Sequence, residues 1–396
     1  MTTQQGALSG VTILDLTTVI MGPYATQILG DLGADVIKIE SPGGDSLRYH
    51  TPQRGTDMAG FFLDLNRNKR SVVLDLKRAD ALQALMKLVA QADVVVHNMR
   101  PQAIAKLGLG FEAMAAVKPD LVYCAAVGFG SSGPYAARAA YDDTIQAASG
   151  LAAVMGRQSA EPAFVPSVIC DKVAGQMVAN AILAALFHHE RTGQGQSVEV
   201  PMFEALVSFN LVEHIGPFAF EPALGDPGWK RALSPARKPF KTKDGYACLL
   251  PYSDRNWRDF FAFIGFPELI DDPRFKTMPL RVQNVDEVYK IIETAAPRFT
   301  NAEWMTFCDG ASVPAMPVLA IEELWDDTHL DAVKMFSLRD HPSEGTYKSV
   351  RHPVQYSKTA ATVRRDAPQL GADTRAILGD LGYDNAAIDT MSGQVN

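Results

Sequence analysis

Five short runs rich in β-branched and apolar residues mark the first 130 positions: Val11–Thr17, Asp35–Glu40, Ser71–Leu76, Asp93–Met99 and Leu121–Val127. Between them lie segments of helical spacing, among them Tyr24–Leu32 and Ala79–Gln91. A strand followed by a helix and another strand is the signature of a βαβ unit, because parallel strands cannot be joined by a tight turn. Repetition of that unit predicts an α/β fold with a parallel sheet, whose strands are covered on both faces and so read as continuous apolar runs.

The remainder of the chain has a different texture. A Gly/Ser-rich loop spans Gly128–Pro134, and Ala140–Met155 is rich in small residues and reads as helical. A longer helix is expected from Asp171 to about Glu190, stopped at Arg191-Thr192-Gly193. Gln196–Val200 reads as a strand and Pro201–Ile215 as a helix. Phe240–Leu250 reads as a hairpin turning at Lys243-Asp244-Gly245, followed by helices at Asn256–Ile264, Val285–Ala295 and Asn301–Gly310. With 396 residues the chain is too long for one core. The expected division is a large domain over 1–215 and a smaller α+β domain over 225–325. A C-terminal segment, 330–396, has little pattern before a short helix at Asp373–Leu381.

A net charge of −8 argues against nucleic acid or an anionic membrane surface as the main partner. The N-terminal residues show no secretory signal, no apolar run reaches the length of a membrane span, and the cytoplasm is the expected compartment. The four cysteines, Cys124, Cys170, Cys248 and Cys308, form no CxxC pair and read as reduced core residues.

A parallel sheet first suggests a nucleotide site. The first strand–helix turn, Leu16–Tyr24, lacks GxGxxG, and Pro23 removes an N–H that a phosphate would need. A nicotinamide dehydrogenase therefore rests on sheet topology alone, and Asp35 is better read as a strand-edge residue than a ribose partner. Lys38, Arg48, Arg67, Lys69, Arg70, Lys77, Arg100 and Lys106 gather near strand ends, densest at Asn66–Arg70. They suit either a phosphorylated ligand or a solvated loop. His188-His189 has no i,i+4 partner and predicts no metal site. Ser131-Ser132 lacks a nucleophile elbow.

Asp171 follows Val165-Pro-Ser-Val-Ile-Cys170, where an extended segment enters the long helix. A carboxylate at the positive end of a helix can act as an N-cap. It can also attack an activated acyl group.

Landmarks spread along the chain give a resemblance. They include Leu8–Leu16, Gly22-Pro23, Gly30–Asp45, Asn68-Lys-Arg-Ser71 with Leu74–Lys77, Leu107-Gly108 and Gly128-Phe-Gly with Gly133-Pro134. Asp171 with Gly175, Ala184–Leu186 leading to Arg191–Gln196, Pro314–Val318 and Ala367–Gly371 complete the series. In order and spacing the chain resembles the class III CoA-transferase family, which includes formyl-CoA:oxalate and carnitine CoA-transferases and the related α-methylacyl-CoA racemases.

The resemblance implies a Rossmann-like large domain, a smaller middle domain and two ring-shaped subunits interlocked as a homodimer. It implies CoA transfer from an acyl-CoA to a free carboxylic acid, with coenzyme A as substrate, no tightly bound cofactor and no metal. Asp171 falls at the position of the nucleophile that carries an aspartyl-CoA thioester, and its helix terminus is expected to keep it ionised at neutral pH. Leu74, Asp75, Lys77, Asn98 and Arg100 fall along the nucleotide part of the CoA site, Lys106 near its phosphates, and Tyr141 near the thioester. Val19 and Ile20 fall in the loop near the reacting centre. Oxalate-specific members have Gln where this chain has Ile20 and a glycine-rich loop with no match near Pro251-Tyr252-Ser253, so oxalate is not the expected acceptor. Racemases carry a His-Asp pair where this chain has Tyr141-Asp142, and a tyrosine of ordinary pKa is a poor base at neutral pH. Transfer is therefore favoured over racemisation, with a non-catalytic CoA-binding protein as the other alternative.

Overall fold

The computed structural model describes residues 6–159 and 161–393; the first five residues, read above for a signal, lie outside them. The chain divides into two compact units: Met1–Ser149, Pro166–Ser208 and Thr328–Asn396 form the first, and Gly150–Val165 with Phe209–Asp327 the second.

The first unit is built on six strands: β1 (Thr12–Leu16), β2 (Asp35–Glu40), β3 (Lys69–Val73), β4 (Val94–His97), β5 (Val122–Val127) and β6 (Gln196–Pro201). All pair in parallel, in the order β3-β2-β1-β4-β5-β6. Leu14 lies opposite Ile37 on one side and Val95 on the other. Alternate side chains serve opposite faces. Ile13, Val36, Val94, Val96, Val122 and Cys124 face one core, while Leu14, Leu16, Ile37, Val95 and Tyr123 face the other. Burial on both faces explains why these strands read as unbroken apolar runs.

The first face is covered by the helices Met21–Asp31 and Ile169–Thr192. They approach closely at Gly175, where a Cβ would lie 2.7 Å from the Met21 carbonyl oxygen. The longer helix stops at Gly193, whose left-handed conformation (φ +70°) returns its N–H to the His189 carbonyl. By length and composition that helix could cross a membrane. Cys170, Ala174, Val178, Ala179, Ile182 and Ala185 are instead buried in the core against the sheet. The other face is closed by Ala79–Val89 and by the helices Thr374–Asp380 and Asn385–Met391, which insert Ile377, Leu378, Ile388 and Met391.

Several boundaries differ from the sequence reading. The third strand begins two residues early, at Lys69, and ends at Val73. Ala140–Met155 is two helices, Asp142–Ala148 and Leu151–Ser159, separated at Gly150 with φ +85°. The second of them groups with the smaller unit, although it lies inside the 1–215 block expected for the large domain. The C-terminal segment holds an antiparallel hairpin, β10 (Phe336–His341) and β11 (Gly345–Val350), that was not anticipated. Arg339, Asp340 and Lys348 interrupt its apolar alternation, so no strand signal stood out.

The second unit has a three-stranded antiparallel sheet. Strands β7 (Phe240–Lys241) and β8 (Tyr246–Leu249) turn through Lys243–Gly245, and β9 (Ala315–Pro317) joins β8. Helices Asp254–Phe263, Val285–Ala295 and Asn301–Ala311 pack around Trp257, Phe260, Phe261 and Trp304.

Candidate active site

A cavity opens at the carboxyl ends of the parallel strands, where β1 and β4 send the chain in opposite directions. In open α/β sheets this switch point is where ligands bind. Thr18–Met21 line it after β1, Asn98–Pro101 after β4, and Ala126–Gly128 at the end of β5. Arg138, Tyr141, Asp171 and Met202 complete the wall.

The loop after β1 rests on a layer of buried charge. Lys38 Nζ donates to the Thr17 carbonyl at 2.8 Å and pairs with Asp45 at 3.0 Å. Asp45 accepts the Val19 N–H at 3.2 Å. Lys69 Nζ bonds Asp15 at 3.1 Å and the Pro23 carbonyl at 3.1 Å. Asp15 also accepts from Thr17 and Thr26. Burial alone would raise the pKa of Asp15, but Lys69 and Lys38 outweigh it and hold the carboxyl well below the usual range. Burial pushes Lys69 down to about 8. On this platform Val19 adopts φ +69°, a strained conformation for a β-branched residue. The Asn98 amide clamps the loop from the other side, accepting the Thr18 N–H at 3.0 Å and donating to the Thr18 carbonyl at 2.8 Å.

Behind Asn98, the Met99 N–H donates to His97 Nδ1. The ring proton therefore sits on Nε2 and bonds the Tyr123 hydroxyl at 2.8 Å, which donates to the Leu109 carbonyl. Burial pushes His97 down to about 4, so it is a neutral support for this loop.

Asp171 lies in the first turn of Ile169–Thr192, three residues after the N-cap Val168. It is not the cap. The capping groups come from another helix: one oxygen of Asp142, Oδ2, accepts the N–H of Cys170 at 2.7 Å and of Asp171 at 3.0 Å. The Asp171 carboxyl accepts no hydrogen bond among the described residues and faces the cavity. Burial, then the nearby Asp142 charge, pushes its pKa up to about 7. The helix terminus therefore leaves Asp171 only partly ionised near pH 7, short of the expectation, because burial and the Asp142 charge outweigh it. Cys170 is buried and its thiol is pushed up to about 12, which excludes a thiolate at neutral pH.

Of the residues carried over by resemblance, Val19, Ile20, Asn98, Arg100, Tyr141 and Asp171 meet at this cavity. Leu74, Asp75, Lys77 and Lys106 lie outside its wall. Leu74 is in the core, the Asp75 N–H bonds the Met391 carbonyl, and Lys77 and Lys106 are exposed. The dense basic cluster proves to be neither a ligand site nor a solvated loop. Arg67 is buried against Asp31, Lys69 against Asp15, and Arg70 pairs with Asp35. His189 pairs with Asp120. The Gly/Ser-rich loop is tied down by Glu204, which accepts the Gly130 N–H, and Glu199, which accepts that of Ser131.

Two contributors escaped the sequence reading. Arg138 stacks on Tyr135 at 4.1 Å and adds a second guanidinium to the wall beside Arg100. Asp142 was read only as the companion of Tyr141; its one outward signal was its place beside a residue already singled out.

The pattern of CoA-transferase family III matches residues 8–374. The chain belongs to CoA-transferase family III. Mouse succinyl-CoA:glutarate CoA-transferase is 32% identical, over 97% of this chain and 88% of its own. Formyl-CoA:oxalate CoA-transferase of Escherichia coli is 30% identical, over 97% of this chain and 98% of its own. The crystal structure of Rv3272 from Mycobacterium tuberculosis superposes with a TM-score of 0.82 at 29% identity, covering 95% of this chain and 99% of that one. With named CoA-transferases matching along nearly its whole length, this family III protein is an enzyme, a CoA-transferase acting on CoA thioesters.

Proposed function

We propose that the enzyme transfers CoA from an acyl-CoA to a free carboxylate through a covalent thioester on Asp171. The observation that carries this reading is a carboxyl group with no hydrogen bond among the described residues, half-buried at the switch-point cavity.

A carboxylate oxygen of Asp171 attacks the donor carbonyl carbon, the C–S bond breaks, and CoA leaves as a thiolate. The thiolate attacks the Asp171 carbonyl of the resulting anhydride, releasing the donor acid and leaving aspartyl-CoA. The acceptor carboxylate then repeats both steps in reverse, so no net proton is gained or lost. Splitting one exchange into two acyl transfers is the advantage of covalent catalysis. Arg100 and Arg138 suit the phosphates of CoA. Asn98 supports the loop beside the thioester, and we assign Val19, Ile20 and Tyr141 to the acyl end. Asp75, Lys77 and Lys106 remain proposed contacts of the nucleotide, outside the cavity wall, while Leu74 is wholly buried and supports that segment from the core.

The apolar Ile20 and Met21 favour an acyl group less polar than oxalate. We propose succinyl-CoA as a donor, in line with the mouse relative, and an aliphatic mono- or dicarboxylic acid as acceptor. The enzyme is proposed to work as an interlocked homodimer. Phe209, Val212, Phe218, Phe220 and Leu224 are large exposed apolar side chains, of the kind that subunit contacts cover. The free cysteines suit a reducing compartment, and we take the cytoplasm as its place.

Incubation with succinyl-CoA, followed by peptide mass spectrometry, is expected to place CoA on the peptide carrying residue 171, with hydroxylamine discharging it. Asp171→Asn should acquire no label and lose transfer by about a thousandfold or more, the scale of losing a covalent nucleophile. Full-rate transfer by that variant sinks the mechanism. Because the ionised carboxyl is the attacking form, the rate should rise with pH through about 7.

A further inference from the structure

The Asp142 carboxylate accepts the N–H groups of Cys170 and Asp171 on Oδ2, and Gln146 Nε2 on Oδ1 at 2.6 Å. It is 5% exposed and sits at the first position of its own helix, Asp142–Ala148. An N-cap usually comes from the residue that begins the capped helix, so that it follows that helix wherever it moves. Here it comes from a chain segment 28 residues upstream, and it brings a second negative charge to the nucleophile. A neutral Ser, Thr or Asn would satisfy the same two donors without that charge.

We propose that Asp142 is a positioning residue whose charge, held against the first turn of the Asp171 helix, drives Asp171 toward its uncharged covalent form. The inference rests on the aspartyl-CoA reading above. Free Asp171 is an anion beside Asp142, whereas the anhydride and the thioester carry no charge on residue 171. Acylation therefore relieves the repulsion, and the same repulsion raises the energy of the attacking carboxylate. The raised pKa of Asp171 is the protonation counterpart of this effect, with burial as its larger cause. Other charged or titratable groups around Asp171 are Arg100, Arg138 and Tyr141 on the cavity wall, Asp143 beside Asp142, and Lys172 on its own helix, whose Nζ is turned to the Ser167 hydroxyl. Asp142 is the one that bonds the main chain of residue 171 itself.

Asp142→Asn separates charge from geometry. Both helix N–H groups bond one oxygen, which an amide can supply, and the new NH2 can face a reoriented Gln146. Two measurements are made on wild type and variant. The first is the titration of 13C-labelled Asp171, assigned against Asp171→Asn. The second is the ratio of aspartyl-CoA to free enzyme at fixed succinyl-CoA and succinate, well above the Asp171 titration. We expect the titration midpoint to fall by about one unit and the adduct ratio by about tenfold, the same free energy read in two ways. Asp142→Glu keeps the charge and should hold the midpoint near wild type; if Asp142→Asn does not fold, Asp142→Ser, a neutral acceptor for the same N–H groups, takes its place. An unchanged midpoint in Asp142→Asn, or a midpoint that falls as far in Asp142→Glu, overturns the inference and leaves Asp142 a cap alone. If wild type takes no label on Asp171, the functional reading falls, while the titration still decides whether Asp142 governs that carboxyl.

Discussion

Beneath the loop after β1, the larger unit buries Asp15, Lys38, Glu40, Arg48 and Lys69, none more than 3% exposed. The smaller unit fills its interior with Trp257, Phe260, Phe261 and Trp304, with Trp304 stacked on Phe260 at 5.6 Å. Its buried Arg281 stands apart, pairing with Asp254 while its Nε lacks a partner among the described residues. Aromatic burial is non-directional and stabilises in proportion to area. Buried ion pairs add little net stability but fix direction, because each donor and acceptor must meet. The charged layer lies where direction is needed, under Thr17, Val19 and Pro23.

The largest expected effect tests the charged layer. Asp15→Ala leaves Lys69 with only the Pro23 carbonyl and Asn66 for partners, and should cost about 3–5 kcal/mol in urea denaturation. The sharper variant is Asp15→Leu with Lys69→Met. It should regain most of that stability yet leave transfer impaired, since the apolar pair packs but does not hold Thr17 or Pro23. If transfer returns along with stability, the charges are not there for positioning, and the contrast between the units fails.

Next in size is a gain. Asp171 has its folded pKa raised from 3.8 to about 7, so its favourable contribution is complete below pH 3.8 and lost as pH rises through about 7. Asp171→Asn escapes that loss. Above pH 7 it should be more stable than wild type, on the order of 2 kcal/mol, and the gap should close as pH falls toward 4. Thermal melts across that range check the sign. A gap that widens toward acid would mean that the fold favours the ionised form.

The smallest effect belongs to the aromatic core. Trp304→Phe keeps the stacking with Phe260 but loses area and the Nε1–H bond to the Ala296 carbonyl, costing about 1–2 kcal/mol. Its cost should be the same at low and high salt and across neutral pH, as a packing loss requires.

The sheet was legible because its strands are buried on both faces. Asp35–Glu40 was placed to the residue, and Leu121–Val127 to within one. The β10–β11 hairpin was not, since its strands carry charge on exposed positions. Within the candidate site, Val19, Ile20, Asn98, Arg100, Tyr141 and Asp171 were named before they were seen at one cavity. Arg67 and Lys69 were misread because a lysine in a sequence looks the same whether it faces water or a buried aspartate.

By itself the sequence determined which segments alternate as strand and helix, that the long helix stops at Gly193, and which family's landmarks it carries. These are local or ordered properties, written in spacing and residue type. Only the tertiary structure decided that Asp142 caps the helix of Asp171, that Lys38 and Lys69 pair inward, and that Asp171 is shifted toward neutrality rather than held ionised. Each depends on which charges the fold brings within hydrogen-bond reach and how much water it removes, and neither quantity is carried by order along the chain.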